Sequence, residues 1–249
     1  MKVKDYLLER MKEGTLHFTL IDPDKQDAGE AASIAKRAKD AGTDAIMIGG
    51  STDVTQNNLD ATAKAIKKVC SLPTIYFPSG ANAMSGNIDA IFYMSMVNST
   101  SIDWIIGEQV KGSLITKKLG IEPISMGYII IEPGMKVGEV GRARPIKRDD
   151  LQGAMSYALA CEYLGMNFVY LEAGSGADRP VPPEMIKAVR ETISVPLIVG
   201  GGIRTPEAAK AARLAGADAV VTGTFVERCS DNNEMKNVIK AVKGCHFLL

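Results

Sequence analysis

Short apolar runs alternate with longer amphipathic stretches along the whole chain. The runs LHFTLI (16–21), DAIMIGG (44–50), PTIYF (73–77), AIFYMSM (90–96), SMGYIII (125–131), NFVYLE (167–172), VPLIVG (195–200) and DAVVTG (218–223) predict eight strands. Several are apolar throughout rather than alternating, as expected when both faces of a parallel sheet are covered. The stretches between them predict helices over 28–41, closed by Gly42, and over 55–70, 102–119, 149–164, 183–193, 206–215 and 232–243. Two intervals break the pattern. SGANAMSGNI (79–88) is too polar and glycine-broken for a regular helix, and 132–148 reads as a long loop.

Strand followed by helix, repeated to eight strands, predicts an α/β fold, a (β/α)8 TIM-type barrel, irregular around its third helix. The length of 249 residues suits one such barrel, which typically takes ~250. The rival is an open doubly wound sheet; the strand count and the lack of an early GxGxxG disfavour it. No Ser/Pro-rich linker or low-complexity tract divides the chain, so residues 1–249 are read as one domain.

Composition narrows the function classes. Lys+Arg and Asp+Glu each number 29, so the chain has no formal net charge and is a poor general polyanion binder, which argues against nucleic acid. No apolar run reaches the ~18 residues that cross a bilayer, and the charged N-terminus lacks the core of a signal peptide; stable membrane insertion is not expected. Cys70, Cys161, Cys229 and Cys245 form no CxxC pair. Reduced thiols in a cytoplasmic protein are the expectation, without a zinc cluster.

In a barrel of this type the site lies at the C-terminal ends of the strands. The polar residues there are Asp22-Pro23-Asp24-Lys25 after the first strand, Gly49-Gly50-Ser51 after the second, Glu172 with Ala173-Gly174-Ser175-Gly176 at the sixth, Gly200-Gly201-Gly202 with Arg204 after the seventh, and Gly223-Thr224 after the eighth. Glycines in consecutive loops let backbone N–H groups approach phosphate oxygens, which predicts a small phosphate ester as ligand. Asp22 with Ser51 suits a partial Mg²⁺ site completed by substrate oxygens, or Asp22 caps its turn. Glu172, ending an apolar strand, suits a general base if burial raises its pKa, or forms a structural ion pair. His17 and His246 read as structural, and no hydrolytic triad is visible. Met94 and Met96, with Tyr93 and Trp104, read as core or as an adaptable apolar wall. The basic loop with Lys136, Arg142, Arg144, Lys147 and Arg148 is a solvated surface or a lid over a polyphosphate.

HFTLIDPDK, IMIGGS, YLEAGSGA, VGGGIRT and VTGTF, in this order, resemble the geranylgeranylglyceryl phosphate synthases, and the resemblance spans residues 15–243. It implies transfer of a geranylgeranyl group from geranylgeranyl diphosphate to the 3-hydroxyl of sn-glycerol 1-phosphate, forming the first ether bond of archaeal lipids. It implies Mg²⁺ at Asp22 and Ser51, and glycerol phosphate at Tyr170, Leu171, Glu172, Ala173, Gly174, Ser175, Gly176, Gly201, Gly202, Gly223 and Thr224. Glu172 would be the base. Trp104 would bound a prenyl channel that Met94 and Met96 also line. The length of the fifth-strand loop is similar to that of archaeal members forming larger assemblies, so a homo-oligomer, dimer or hexamer, is implied. Leu20 departs from relatives that carry a Lys there, which leaves the diphosphate contacts to Lys25 or the basic loop. The alternatives are a relative using a longer prenyl chain, another phosphate-binding barrel enzyme such as a sugar-phosphate isomerase or lyase, and a silent phosphate-binding barrel.

Overall fold

The computed structural model describes residues 1–50, 52–229 and 231–244. Eight parallel strands close into a barrel in sequence order: β1 (Leu16–Ile21), β2 (Ala45–Ile48), β3 (Thr74–Tyr76), β4 (Ala90–Met96), β5 (Glu122–Ile130), β6 (Phe168–Glu172), β7 (Leu197–Gly200) and β8 (Ala219–Thr222). Pairing of Leu16 with Ala219 and of Thr19 with Thr222 closes β1 onto β8. The helices α2 (Ala28–Ala41), α3 (Gln56–Val69), α4 (Glu108–Leu119), α6 (Leu151–Tyr163), α7 (Pro183–Thr192), α8 (Pro206–Leu214) and α10 (Asn232–Lys243) follow the strands; α1 (Val3–Met11), α5 (Met135–Val140) and α9 (Thr224–Arg228) are additions.

The period of two along each strand sorts side chains into two cores. Phe18, Met47, Ile75, Phe92, Met126, Phe168, Ile198 and Val221 fill the barrel interior. Ile46, Val169, Leu171, Val199 and Val220 point outward, where helix residues such as Ile34, Leu59, Met185 and Ile239 cover them. Both faces are therefore buried, which is why the strands read as continuous apolar runs. His17 also points outward. Its ring nitrogens lie 2.9 Å from Thr43 Oγ1 and Thr222 Oγ1, and burial lowers its pKa to about 3, so it is a neutral structural residue.

Three local features differ from the sequence expectation. The first is α1, which closes the bottom of the barrel: Val3 and Leu7 join the interior core, and the Val3 and Lys4 N–H groups donate to Glu122 at 2.6 and 3.1 Å. Tyr6, Leu8 and Met11 pack partly buried against the same core, but Lys4, Asp5, Glu9 and Arg10 are interleaved with them and mask the apolar stripe in the sequence. The second is β5, which starts at Glu122 rather than at 125. Residues 122–125 pair with β4 alone, and β6 joins only at Met126, so Pro123 sits on an overhang paired on one side and its missing N–H costs little. The third is α5, a short helix inside the 132–148 stretch whose glycines read as loop; Gly138 is buried there against Ile130. The third strand–helix unit is irregular as anticipated, because no helix forms between β3 and β4.

Candidate active site

The strand ends open onto two adjoining cavities. The larger, about 320 Å³, has an apolar side made by Phe77, Phe92, Tyr93, Met94, Met96, Trp104 and Val137, and a polar side made by Asp22, Lys25, Gly50, Glu172 and Glu227. The smaller, about 40 Å³, is lined by Tyr170, Glu172, Ser175, Gly176, Gly201, Gly202, Arg204, Gly223 and Thr224. Leu20, Glu172, Ser175, Gly223 and Thr224 line both, so Glu172 stands in the shared wall.

Glu172 is 6% exposed and makes no ion pair among the described residues. It accepts the Gly174 N–H at 2.6 Å and the hydroxyls of Tyr128 and Tyr170. Burial nevertheless raises its pKa above the ordinary carboxylate value, because desolvation outweighs these three stabilising bonds. The two tyrosines stack edge to face with centroids 5.2 Å apart, and Phe77 packs on both. This floor holds the carboxylate in one orientation. Gly201 completes its seat: with φ +84 it occupies left-handed backbone, and a Cβ there would overlap the Glu172 carboxylate.

Asp22 opens the turn after β1, its carbonyl accepting the Lys25 N–H at 3.2 Å. Its Oδ1 accepts the Asp24 N–H at 3.1 Å, and its Oδ2 lies 3.2 Å from Lys25 Nζ. Gly50 faces it, and any side chain there would collide with the carboxylate. Ser51, read as the second metal position, lies outside the described residues. No cluster of three or more His, Cys, Asp or Glu that could hold a metal occurs among the described residues.

Gly176, Gly201, Gly202 and Gly223, from three loops, line the small cavity together. Ser175 Oγ and Thr224 Oγ1 are 2.8 Å apart across the small cavity, and Arg204 braces its rim by donating to the carbonyls of Gly176 and Ala177 at 2.6 and 3.0 Å. Leu171 and Ala173 are placed apart from the other residues of their stretch: their side chains belong to the outer core and line neither cavity. On the apolar side a π-helical turn, Asp103–Gly107, precedes α4. The wider turn lets Trp104 and Gln109, five residues apart, both line the large cavity, with Gln109 Nε2 bonded to the Met94 carbonyl. Of the five basic residues between 132 and 148, only Lys136 lines the cavity. Arg148 instead ties the segment down through the carbonyls of Glu132 and Pro180.

Glu227 was not anticipated. It lies on α9, a five-residue helix beginning at Thr224, and its Oε1 accepts the Asp22 N–H at 2.9 Å. The closing of β1 onto β8 was the available signal, since it sets the loop after Thr222 beside the DPD turn.

A family model described as the PcrB family matches residues 7–243. The chain belongs to the PcrB family. Within it, the chain is 53% identical to the geranylgeranylglyceryl phosphate synthase of Thermococcus gammatolerans, covering 98% of this chain and 96% of that one. It is 49% identical to that of Thermococcus kodakarensis, covering 98% of each. Its fold superposes with a TM-score of 0.95, at 44% identity and 98% and 99% coverage, on the crystal structure of (S)-3-O-geranylgeranylglyceryl phosphate synthase from Thermoplasma acidophilum in complex with sn-glycerol-1-phosphate. PcrB-family membership thus rests on nearly the whole barrel, the two cavities included.

Proposed function

We propose that this chain is a geranylgeranylglyceryl phosphate synthase, joining geranylgeranyl diphosphate to the 3-hydroxyl of sn-glycerol 1-phosphate with release of diphosphate. The observation that carries the reading is the position of Glu172 between a small glycine-walled cavity and a large apolar one. A phosphate on the glycine loops and a prenyl tail in the apolar cavity bring their reacting ends together at that carboxylate. The full-length similarity to synthases of this name supports it.

The backbone N–H groups of the glycine loops and the hydroxyls of Ser175 and Thr224 hold the glycerol phosphate, fixing the distance from its 3-hydroxyl to Glu172. Glu172 takes the proton of that hydroxyl as its oxygen bonds to the allylic carbon. The C–O bond to diphosphate breaks, and its electron pair leaves with the diphosphate. The raised pKa of the carboxylate makes it a stronger base than an exposed one, and Tyr128 and Tyr170 keep it aimed. The aromatic and methionine wall keeps water from the allylic centre, which would otherwise yield the free alcohol.

The donors present fit a hard divalent ion. Asp22 offers carboxylate oxygens to the cavity, which suits Mg²⁺ shared with substrate phosphate oxygens. Bound there, Mg²⁺ would supply charge neutralisation for the leaving group. Exposed Ile106 on the π-helical turn, with Val110 and Leu114 on α4, forms an apolar row that supports a homo-oligomer, and the buried free thiols of Cys70, Cys161 and Cys229 suit a cytoplasmic setting.

The test is ether formation from geranylgeranyl diphosphate and Mg²⁺, offering sn-glycerol 1-phosphate and sn-glycerol 3-phosphate separately. Product with a strong preference for the 1-phosphate is expected; no ether with either overturns the reading. Trp104→Ala should remove the bulk at the edge of the apolar cavity and admit prenyl diphosphates longer than C20, read from the product chain lengths in a mixed-substrate assay. An unchanged chain-length preference would sink the channel assignment.

A further inference from the structure

A short ionic chain links the two loops that face the reacting groups. Glu227 lies on α9, one helical turn beyond Thr224 of the glycine loop. Its Oε1 accepts the Asp22 N–H at 2.9 Å, and its Oε2 lies 3.4 Å from Lys25 Nζ. The same Nζ is 3.2 Å from Asp22 Oδ2. The Glu227 side chain is 7% exposed, whereas that of Lys25 is 47% exposed and borders the large cavity. A buried carboxylate thus spends one oxygen on the backbone of the Asp22 turn and the other on an ammonium whose outer side is open.

The charge balance of the cavity gives this arrangement a purpose. Four carboxylates line it, Asp22, Glu108, Glu172 and Glu227, against two ammoniums, Lys25 and Lys136. A diphosphate released beside Asp22 meets repulsion unless a cation stands between them. Leu20 brings none. Lys136 is 64% exposed and pairs at 3.3 Å with Glu139 of its own helix, away from Asp22. Lys25 is the ammonium already beside Asp22. Because Glu227 holds it from behind, a divalent ion taking up the Asp22 oxygens would remove one of its two partners and leave the other.

We propose that Lys25 is the chain's own cationic contact to the leaving diphosphate and that Glu227 is its positioning residue. The inference rests on the prenyl-diphosphate reading above. Lys25 donates an Nζ–H to an oxygen of the departing group and keeps its proton, while the electron pair of the broken bond stays on the diphosphate. Through α9, Glu227 also sets the spacing between this contact and the glycerol-phosphate loop at Gly223-Thr224.

Inorganic diphosphate is the probe, titrated calorimetrically into the full-length protein with Mg²⁺ and again with chelator. Lys25→Met is expected to weaken its binding on the order of tenfold to a hundredfold in both buffers, the range for losing one charge-assisted hydrogen bond. Lys25→Arg should recover most of that loss. Glu227→Gln, which keeps the acceptor for the Asp22 N–H but drops the charge behind Lys25, should give a smaller loss in the same direction. Affinity for sn-glycerol 1-phosphate should stay within about twofold in each variant, since Lys25 and Glu227 do not line the small cavity. Diphosphate binding indifferent to Lys25→Met, or a larger loss from Lys136→Met, overturns the proposal. The two readings fail separately: wild-type protein that forms no ether refutes the reaction, whereas the Lys25 dependence is read on diphosphate alone.

Discussion

Glu172→Gln is expected to lower turnover by about 10²–10⁴-fold while leaving sn-glycerol 1-phosphate affinity nearly unchanged. Gln keeps the shape of the side chain and one oxygen for the Gly174 N–H and the tyrosine hydroxyls, so the seat survives. What disappears is the basicity that takes the 3-hydroxyl proton. Single-turnover rates beside a binding isotherm separate the two, and near-normal turnover would remove Glu172 from the base role. In the wild-type enzyme the acid limb of the rate profile should lie above the ordinary Glu range, because burial raises the pKa and the base works only ionised. The same shift has a stability consequence. A carboxyl whose pKa is raised in the fold contributes stability that is fully present below its unfolded value and lost as pH rises through its folded value. At neutral pH the ionised Glu172 therefore weighs against the fold. Glu172→Gln should raise the melting temperature there, and the gain should shrink as the pH falls into the carboxyl range. A variant less stable than wild type at neutral pH would contradict this account of the burial.

Asp22→Asn is expected to cost about 3 kcal/mol of transition-state stabilisation, on the order of a hundredfold in rate, and to raise the Mg²⁺ concentration for half-maximal turnover. Asn still accepts the Asp24 N–H, so the turn keeps its shape while the charge facing the cavity is lost. A Mg²⁺ titration of turnover, repeated with Mn²⁺, provides the check. An unchanged half-saturation point would place the ion elsewhere. Because Lys25 also leans on Asp22, its contact with Glu227 should persist in this variant, and diphosphate binding in chelator should fall far less than in Lys25→Met.

The barrel was legible because most strand positions are buried on two faces, and a doubly buried strand reads as a nearly continuous apolar run. The glycine loops and Glu172 were legible for a related reason: polar or glycine positions directly after such runs stand at the strand ends. Other features leave weaker marks. The first helix hides because only Val3 and Leu7 are buried among charged neighbours. The helix at 135–140 is written in glycines that permit close packing on Ile130 and so read as loop. Leu171 shows the limit of carrying a contiguous stretch over as a site, since alternation turns every second side chain of a strand away from the cavity. Glu227 was obscured because its importance comes from the pairing of the first strand with the last, a contact that no local pattern states.

That closure also governs timing. The first strand waits for about two hundred further residues to emerge before its second edge is paired, since Leu16 sits beside Ala219. At ribosomal speeds this is a delay of roughly 10–40 s, during which an apolar strand edge stands open to other chains. The last strand brings with it Gly223, Thr224 and Glu227. The nascent polypeptide is therefore exposed to aggregation and devoid of activity for the same interval, and both conditions end in a single step.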